Sequence, residues 1–241
     1  MLDDDFTSIV HAVRLGRRIF DNLRKAMSFL LAVHVPIAGL AVLPVLAGWP
    51  LVLLPIHIVF LELIIDPACS VVFESEREEW DIMHRPPRPV REPLFDRRTV
   101  VLSMLQGAGV LLVAVGVLAW SMLSNLPEQD TRVLTFSTLV IGDLGLILAN
   151  RSSSRSVFTA FRPVNPALGF VVGGALVLLI IGSGVPGLRD LFRFGVVHPD
   201  DLAVIFTASL TALLWLDGLK LVRRQVSAHE RGSGHTPTAR A

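Results

Sequence analysis

Residues 51–73 read LVLLPIHIVFLELIIDPACSVVF, and this stretch decides the fold. About 20 helical residues cross the roughly 30 Å of hydrocarbon in a bilayer, and the run is long and apolar enough to do so. It nevertheless carries Glu62 and Asp66, and Pro55, His57 and Pro67 interrupt it. A carboxylate at the bilayer centre costs about 2.5–3.5 kcal/mol on insertion scales. Two acids four residues apart at that depth point to a path for cations.

The rest of the chain supports a membrane reading. Of its 241 residues 52% are hydrophobic, and the mean hydropathy is +0.60. That composition suits a polytopic membrane protein better than a soluble domain. The net charge of +1 names no partner. The basic residues lie between apolar runs rather than on one surface, which argues against nucleic-acid binding. The single cysteine, Cys69, is read as a small buried residue and leaves the redox compartment open. Met1, Leu2 and three aspartates do not resemble a signal peptide.

The expected fold is all-α, with six spans near 26–48, 51–73, 99–123, 132–150, 166–186 and 202–222. Basic residues precede the first span and fill the segments after the second, fourth and sixth. The alternate loops hold only Arg132, Arg189 and Arg193. The positive-inside rule therefore places both termini in the cytoplasm, and an even number of spans agrees. Residues 1–25 are expected to form a cytoplasmic stalk. Phe6, Ile9, Val10, Val13, Phe20 and Leu23 recur at helical spacing. Nothing stops this helix before Ala26, so it is expected to run unbroken into the first span. A helix lying on the membrane surface is the alternative. The proline-rich loop 74–98 is expected to be cytoplasmic and ordered by contact. The tail 223–241 is expected to be disordered.

Glu62 and Asp66 share a helix face. Pro67 has no N–H to donate, which leaves the Leu63 carbonyl available as a further oxygen ligand. Two carboxylates and a carbonyl suit a hard cation. The competing reading is a pair of protonated acids bonded between helices. Asp143, in the fourth span, is a third intramembrane acid that could complete the cluster. His34, beside Pro36 in the first span, is either a packing residue or a proton-linked group that adjusts the charge of the site. His57 lies about 140° around the helix from Glu62 and is expected to pack. Gln106 and Asn150 are expected to bond between helices. Ser152, Ser153 and Ser154 read as a linker, and no soluble catalytic motif is found.

Four blocks then resemble a known family. DDDFTSIVHAVRLGRRIFDNLRK at 3–25, LLPIHIVFLELIID at 53–66, DIMHRPPRPVREPL at 81–94 and LVIGDLGLILANRSS at 139–153 occur in order. They resemble the stalk of the fifth membrane helix, the sixth helix, the loop after it and the eighth helix of P-type cation ATPases. That superfamily includes the calcium, sodium-potassium and proton pumps. The resemblance implies that the six spans correspond to helices five to ten. It implies that the calcium-pump ligand positions fall on His34, Ile37, Glu62, Ile65, Asp66 and Asp143. Glu62, Asp66 and Asp143 keep an oxygen side chain. Ile37 and Ile65 do not, and His34 replaces an amide. The reduced set fits one divalent ion, or protons, better than two calcium ions.

The family's DKTG, TGES and GDGxNDxP motifs are absent. The chain is therefore expected to be a fragment that cannot hydrolyse ATP alone and binds no cofactor itself. ATP and magnesium would act on domains outside it. Its expected partners are the lipid bilayer and the N-terminal half of the pump, and its expected location is the plasma membrane. The leading reading is the cation-binding transport domain of an ATP-driven pump. The alternatives are a regulatory membrane partner of an intact pump, or a stand-alone carrier.

Overall fold

A computed structural model describes residues 6–79, 81–87, 96–151 and 165–233, with the backbone alone at Cys69 and 223–233. It is all-helical among the described residues. Its elements are α1 (Phe6–Ala47), α2 (Pro55–Pro67), α3 (Arg97–Leu123), α4 (Glu128–Arg151), α5 (Pro166–Gly184), α6 (Pro186–Phe192) and α7 (Pro199–Ser233). A π-helical turn, Ala68–Phe73, continues α2. Six helices are long and apolar enough to cross a membrane: α1, α2 with its π turn, α3, α4, α5 and α7. The chain is thus a multi-pass membrane protein.

Helix α1 is continuous over 42 residues, as the absence of stop signals before Ala26 requires. At 1.5 Å per residue it is about 63 Å long, twice the hydrocarbon thickness. Pro36 and Pro44 lie inside it and are buried. The helix ends in a Schellman motif. Gly48 takes φ +68°, the Trp49 N–H donates to the Pro44 carbonyl at 2.8 Å, and the Gly48 N–H reaches Val45. Helices α3 and α6 end the same way, with Asn125 and Arg193 in the left-handed conformation.

Helix α4 forms the centre of the bundle. From Thr131 to Ala149 only Ile141 escapes full burial. It packs against α1, α3, α5 and α7, while α3 also contacts α1 and α7. The α1–α3 crossing depends on Gly107. A Cβ there would lie 2.2 Å from the Ala32 carbonyl oxygen and 2.7 Å from the Val35 Cβ. The obstacle is backbone, so a side chain cannot be accommodated by a rotamer change. Gly107→Ala is expected to push the two helices apart and cost about 1–3 kcal/mol. Urea unfolding of the chain in detergent would check this, and an unchanged midpoint would contradict it.

Three boundaries differ from the sequence reading. Helix α2 starts at Pro55, because residues 51–54 are not helical and the Leu51 carbonyl is bound by Arg132. The loop before α7 contains the short helix α6, whose Phe192 is buried in an aromatic cluster. The crossing part of α7 ends at Val222 as expected, but the helix continues to Ser233, where a disordered tail was expected. Residues 223–233 include no proline and favour helix, apart from Gly232. The remainder of the expected tail, the Ser152–Ser154 linker and residues 88–95 lie outside the described residues.

Candidate functional site

Helix α2 begins where Leu54 caps it and Pro55 occupies the first helical position, a place where the missing N–H costs nothing. His57 is fully buried, and its Nδ1 accepts the Leu54 N–H at 3.0 Å. Its ring meets Phe136, Phe192 and Phe194 with centroids 4.7, 5.4 and 5.2 Å away. His57 therefore packs and caps, and it fastens α2 to α4 and α6.

Glu62 and Asp66 lie one and two turns further along α2. Glu62 is half-buried and Asp66 is exposed. The Ser70 hydroxyl donates to the Asp66 carbonyl at 2.8 Å. Leu63 is 58% exposed. Helix α2 then gives way to the π turn directly after Pro67, where the helix must already do without one N–H donor. Buried Phe73, at the end of that turn, meets Phe29 of α1 at 5.4 Å.

Asp143 sits in the middle of α4 and is 2% exposed. Neither of its carboxylate oxygens has a hydrogen-bond partner among the described residues. Its helical neighbours Leu139, Val140, Leu144 and Ile147 are all buried and apolar. His34 is exposed on α1, with Nδ1 2.8 Å from the Leu30 carbonyl. Among the described residues no three His, Cys, Asp or Glu side chains come together closely enough to hold a metal ion. The acids instead occupy two environments, Asp143 inside the bundle and Asp66 on its surface. The polar pair Gln106–Asn150 does join two helices, with the Asn150 amide donating to the Gln106 carbonyl oxygen at 3.0 Å.

Below α2 the polar contacts are denser. Glu76 is 7% exposed and takes a 2.5 Å bond from Arg151 Nε at the end of α4. Asn165 Nδ2 donates to the same carboxylate at 3.2 Å, while its Oδ1 caps α5 through the Ala167 N–H. The Glu76 carbonyl accepts from Asn22 of α1 at 2.9 Å. One residue thereby ties α1, α4 and α5 to the end of the π turn. Sequence reasoning missed it because nothing in ESEREE, residues 74–79, tells the buried acid from the solvated ones. Asn165 before Pro166 was a legible cap signal.

The loop lies along α1. Arg17 donates to the carbonyls of Ile82 and Arg85 at 2.7 and 2.8 Å. Lys25 pairs with Glu79 at 2.9 Å. Arg85 bridges Asp21 and Asp81, each at 2.7 Å, and these acids hold its guanidinium more firmly protonated than usual. Arg14 bonds Glu78, which lowers that carboxyl below its ordinary range. At the opposite end Arg132, 3% exposed, donates to the Leu51 and Arg193 carbonyls at 3.0 Å and pairs with Glu128. It fixes the α1–α2 loop to the end of α6, a role hidden when it is counted only as a loop charge.

A family model described as the C-terminus of cation-transporting ATPases matches residues 50–222. Over 228 residues the chain is 27% identical to the calcium-transporting ATPase of Bacillus subtilis, covering 93% of this chain and 25% of that protein. It is 24% identical over 240 residues to the human calcium-transporting ATPase type 2C member 2, covering 98% and 25%. A shorter match, 42% over 107 residues, joins it to the potassium-transporting ATPase alpha chain 1 of Xenopus laevis, covering 44% and 10%. The chain thus spans about a quarter of the length of the curated relatives it matches along most of its own. With six membrane-crossing helices and a match across most of its length, the chain belongs to the C-terminal transmembrane domain family of P-type cation-transporting ATPases.

Proposed function

We propose that this chain is the cation-binding part of an ATP-driven pump, and that Glu62, Asp66 and Asp143 receive the transported ion. The observation that carries this reading is Asp143, a buried acid whose two oxygens have no partner among the described residues. A buried carboxylate without hydrogen bonds is costly, and a protein retains one where the group meets something outside its own chain. A cation is the natural complement of an acid.

The exposure of Asp66 and His34 bears on the partner. At mid-span they would face lipid, at a cost of about 2.5–3.5 kcal/mol for an acid on insertion scales. That cost disappears if further membrane helices of the pump cover this face. The remainder of the pump would also supply the ATP and magnesium chemistry. Cation binding on Glu62 and Asp66 would then be completed at the joint, with the Leu63 carbonyl as a further oxygen and His34 adjusting the charge. Several matching relatives are named for calcium transport. With isoleucine at positions 37 and 65, the oxygen set here favours a single divalent ion, or protons, over a pair of calcium ions. The basic ends of the spans support a reading with both termini in the cytoplasm, and the proposed membrane is the plasma membrane.

The long helix α1 would transmit ATP-driven movement to the ion site. Such a lever acts only if the ion binds its two positions with different affinity. In the full-length pump, Asp66→Asn is expected to abolish cation-stimulated phosphorylation by ATP. Unchanged cation affinity in that variant would remove Asp66 from the site.

A further inference from the structure

The π-helical turn Ala68–Phe73 divides the buried side of α2 into two parts that are out of step. Before it, His57, Phe60, Leu61, Ile64, Ile65 and Ala68 are buried, while Asp66 lies exposed on the opposite side. Phe73 is seven residues beyond Asp66, so an uninterrupted α-helix would place the two on one side. Phe73 is instead 1% exposed, against Phe29 of α1. The π turn absorbs one extra residue, about 100° of helical rotation, and so brings Phe73 inward. Both ends of the segment are anchored, His57 by the Leu54 N–H and the phenylalanine rings, Phe73 by Phe29. These anchors fix that one residue is extra, but not where between them it sits.

If the extra residue lay before Glu62, each residue from Glu62 to Pro67 would take the place of the one preceding it. Glu62 would take the place of Leu61, 1% exposed, and Asp66 that of Ile65, 2% exposed. Ile64, now 4% exposed, would move out to the place of Leu63, 58% exposed. Pro67 has no N–H, so the turn passes it without breaking a bond there. The new places of the acids lie at the depth of Asp143. Helices α2 and α4 run in the same direction, because Phe60 meets Phe136 at 5.5 Å near their starts and Glu76 meets Arg151 at their ends. From that ring contact Asp66 lies six residues along α2 and Asp143 seven along α4, about 9 and 10.5 Å. Two empty carboxylates resist the apolar interior, and a cation held between them and Asp143 offsets that cost. Such a difference in affinity is what allows a ligand to move a two-state element.

We infer that the π turn is a register switch, which cation binding moves toward the start of α2 so that Glu62 and Asp66 turn from the surface to the side of Asp143. The switch rests on the proposed role of these acids as ion ligands. The test uses membranes containing the assembled pump with Cys69→Ala, and Ile64→Cys or Ile65→Cys added separately. N-ethylmaleimide labelling is located by mass spectrometry with calcium chloride, with manganese chloride, and on acidification without either. Labelling at Ile64→Cys is expected to rise several-fold relative to Ile65→Cys in at least one condition, since only Ile64 moves outward. Deletion of Val71, which is half-exposed, removes the extra residue and leaves both anchors in place. It should abolish the change in labelling and leave the thermal midpoint of the 241-residue chain in detergent unaltered. A labelling ratio that none of the three conditions alters would overturn the switch, as would one that still changes without Val71 or a midpoint that collapses on its deletion. Asp66→Asn tests the ion reading separately. Lost cation affinity in that variant with a constant labelling ratio keeps the ion site and removes the switch. Normal affinity with a changing ratio keeps the register shift and removes Asp66 as a ligand.

Discussion

Asp143→Leu is expected to make the chain more stable while removing cation transport from the pump. Asp143 is 2% exposed, and neither of its carboxyl oxygens has a hydrogen bond among the described residues. An unsatisfied buried polar group costs about 1–3 kcal/mol, and a charged one costs more. Leucine has the same branched skeleton of four heavy atoms and would join Leu139, Val140, Leu144 and Ile147 around the same stretch of α4. The thermal unfolding midpoint in detergent should therefore rise by the equivalent of about 1–3 kcal/mol. Asp143→Asn should gain less, because its amide is also left without partners. Loss of function together with gain of stability separates an ion ligand from a structural acid. A lower midpoint for Asp143→Leu would mean that the carboxyl holds the bundle together.

The opposite result is expected at Arg151. Its guanidinium bonds the buried Glu76 carboxylate at 2.5 Å, with side-chain exposures of 3% and 9%. Removing one member of a buried ion pair strands the other, at about 3–5 kcal/mol. Arg151→Met should therefore be strongly destabilising, and Glu76→Leu alone should be too. The double variant should recover most of the loss, since neither charge is left stranded. Urea midpoints of the four proteins would measure the coupling. If the double variant loses the sum of the two single effects, Glu76 and Arg151 are not partners. Asn165 gives a smaller control, because it contributes only a 3.2 Å bond to the same carboxylate.

Much of this architecture is legible in the amino-acid sequence. The six spans followed from long apolar runs, and the unbroken α1 followed from the lack of any stop signal before Ala26. His57 packs, and Gln106 bonds Asn150, as their places on the helices suggested. The hidden features depend on tertiary choice. Which acid of residues 74–79 is buried depends on where the π turn ends and where Arg151 lies. The start of α2 depends on Arg132 holding the Leu51 carbonyl. The short α6 has too few residues to declare itself by periodicity, and it is held by the aromatic cluster around Phe136.

The proposed ion site was legible only as a set of residues. Periodicity put Glu62 and Asp66 on one face, and their place in an apolar run marked them as unusual. It could not show that Asp66 would lie exposed on α2 while Asp143 lay inside α4. In the proposed function the rest of the pump would cover the exposed side of that site.

The most direct test of the central claim is carbodiimide labelling of membranes that contain the assembled pump. A hydrophobic carbodiimide partitions into the bilayer and reacts with protonated carboxyl groups there, and mass spectrometry locates the products. Glu62, Asp66 and Asp143 are expected to be labelled, and the transported cation should protect all three over the same concentration range. Labelling of Asp143 that is indifferent to every cation able to stimulate ATP hydrolysis would contradict the account.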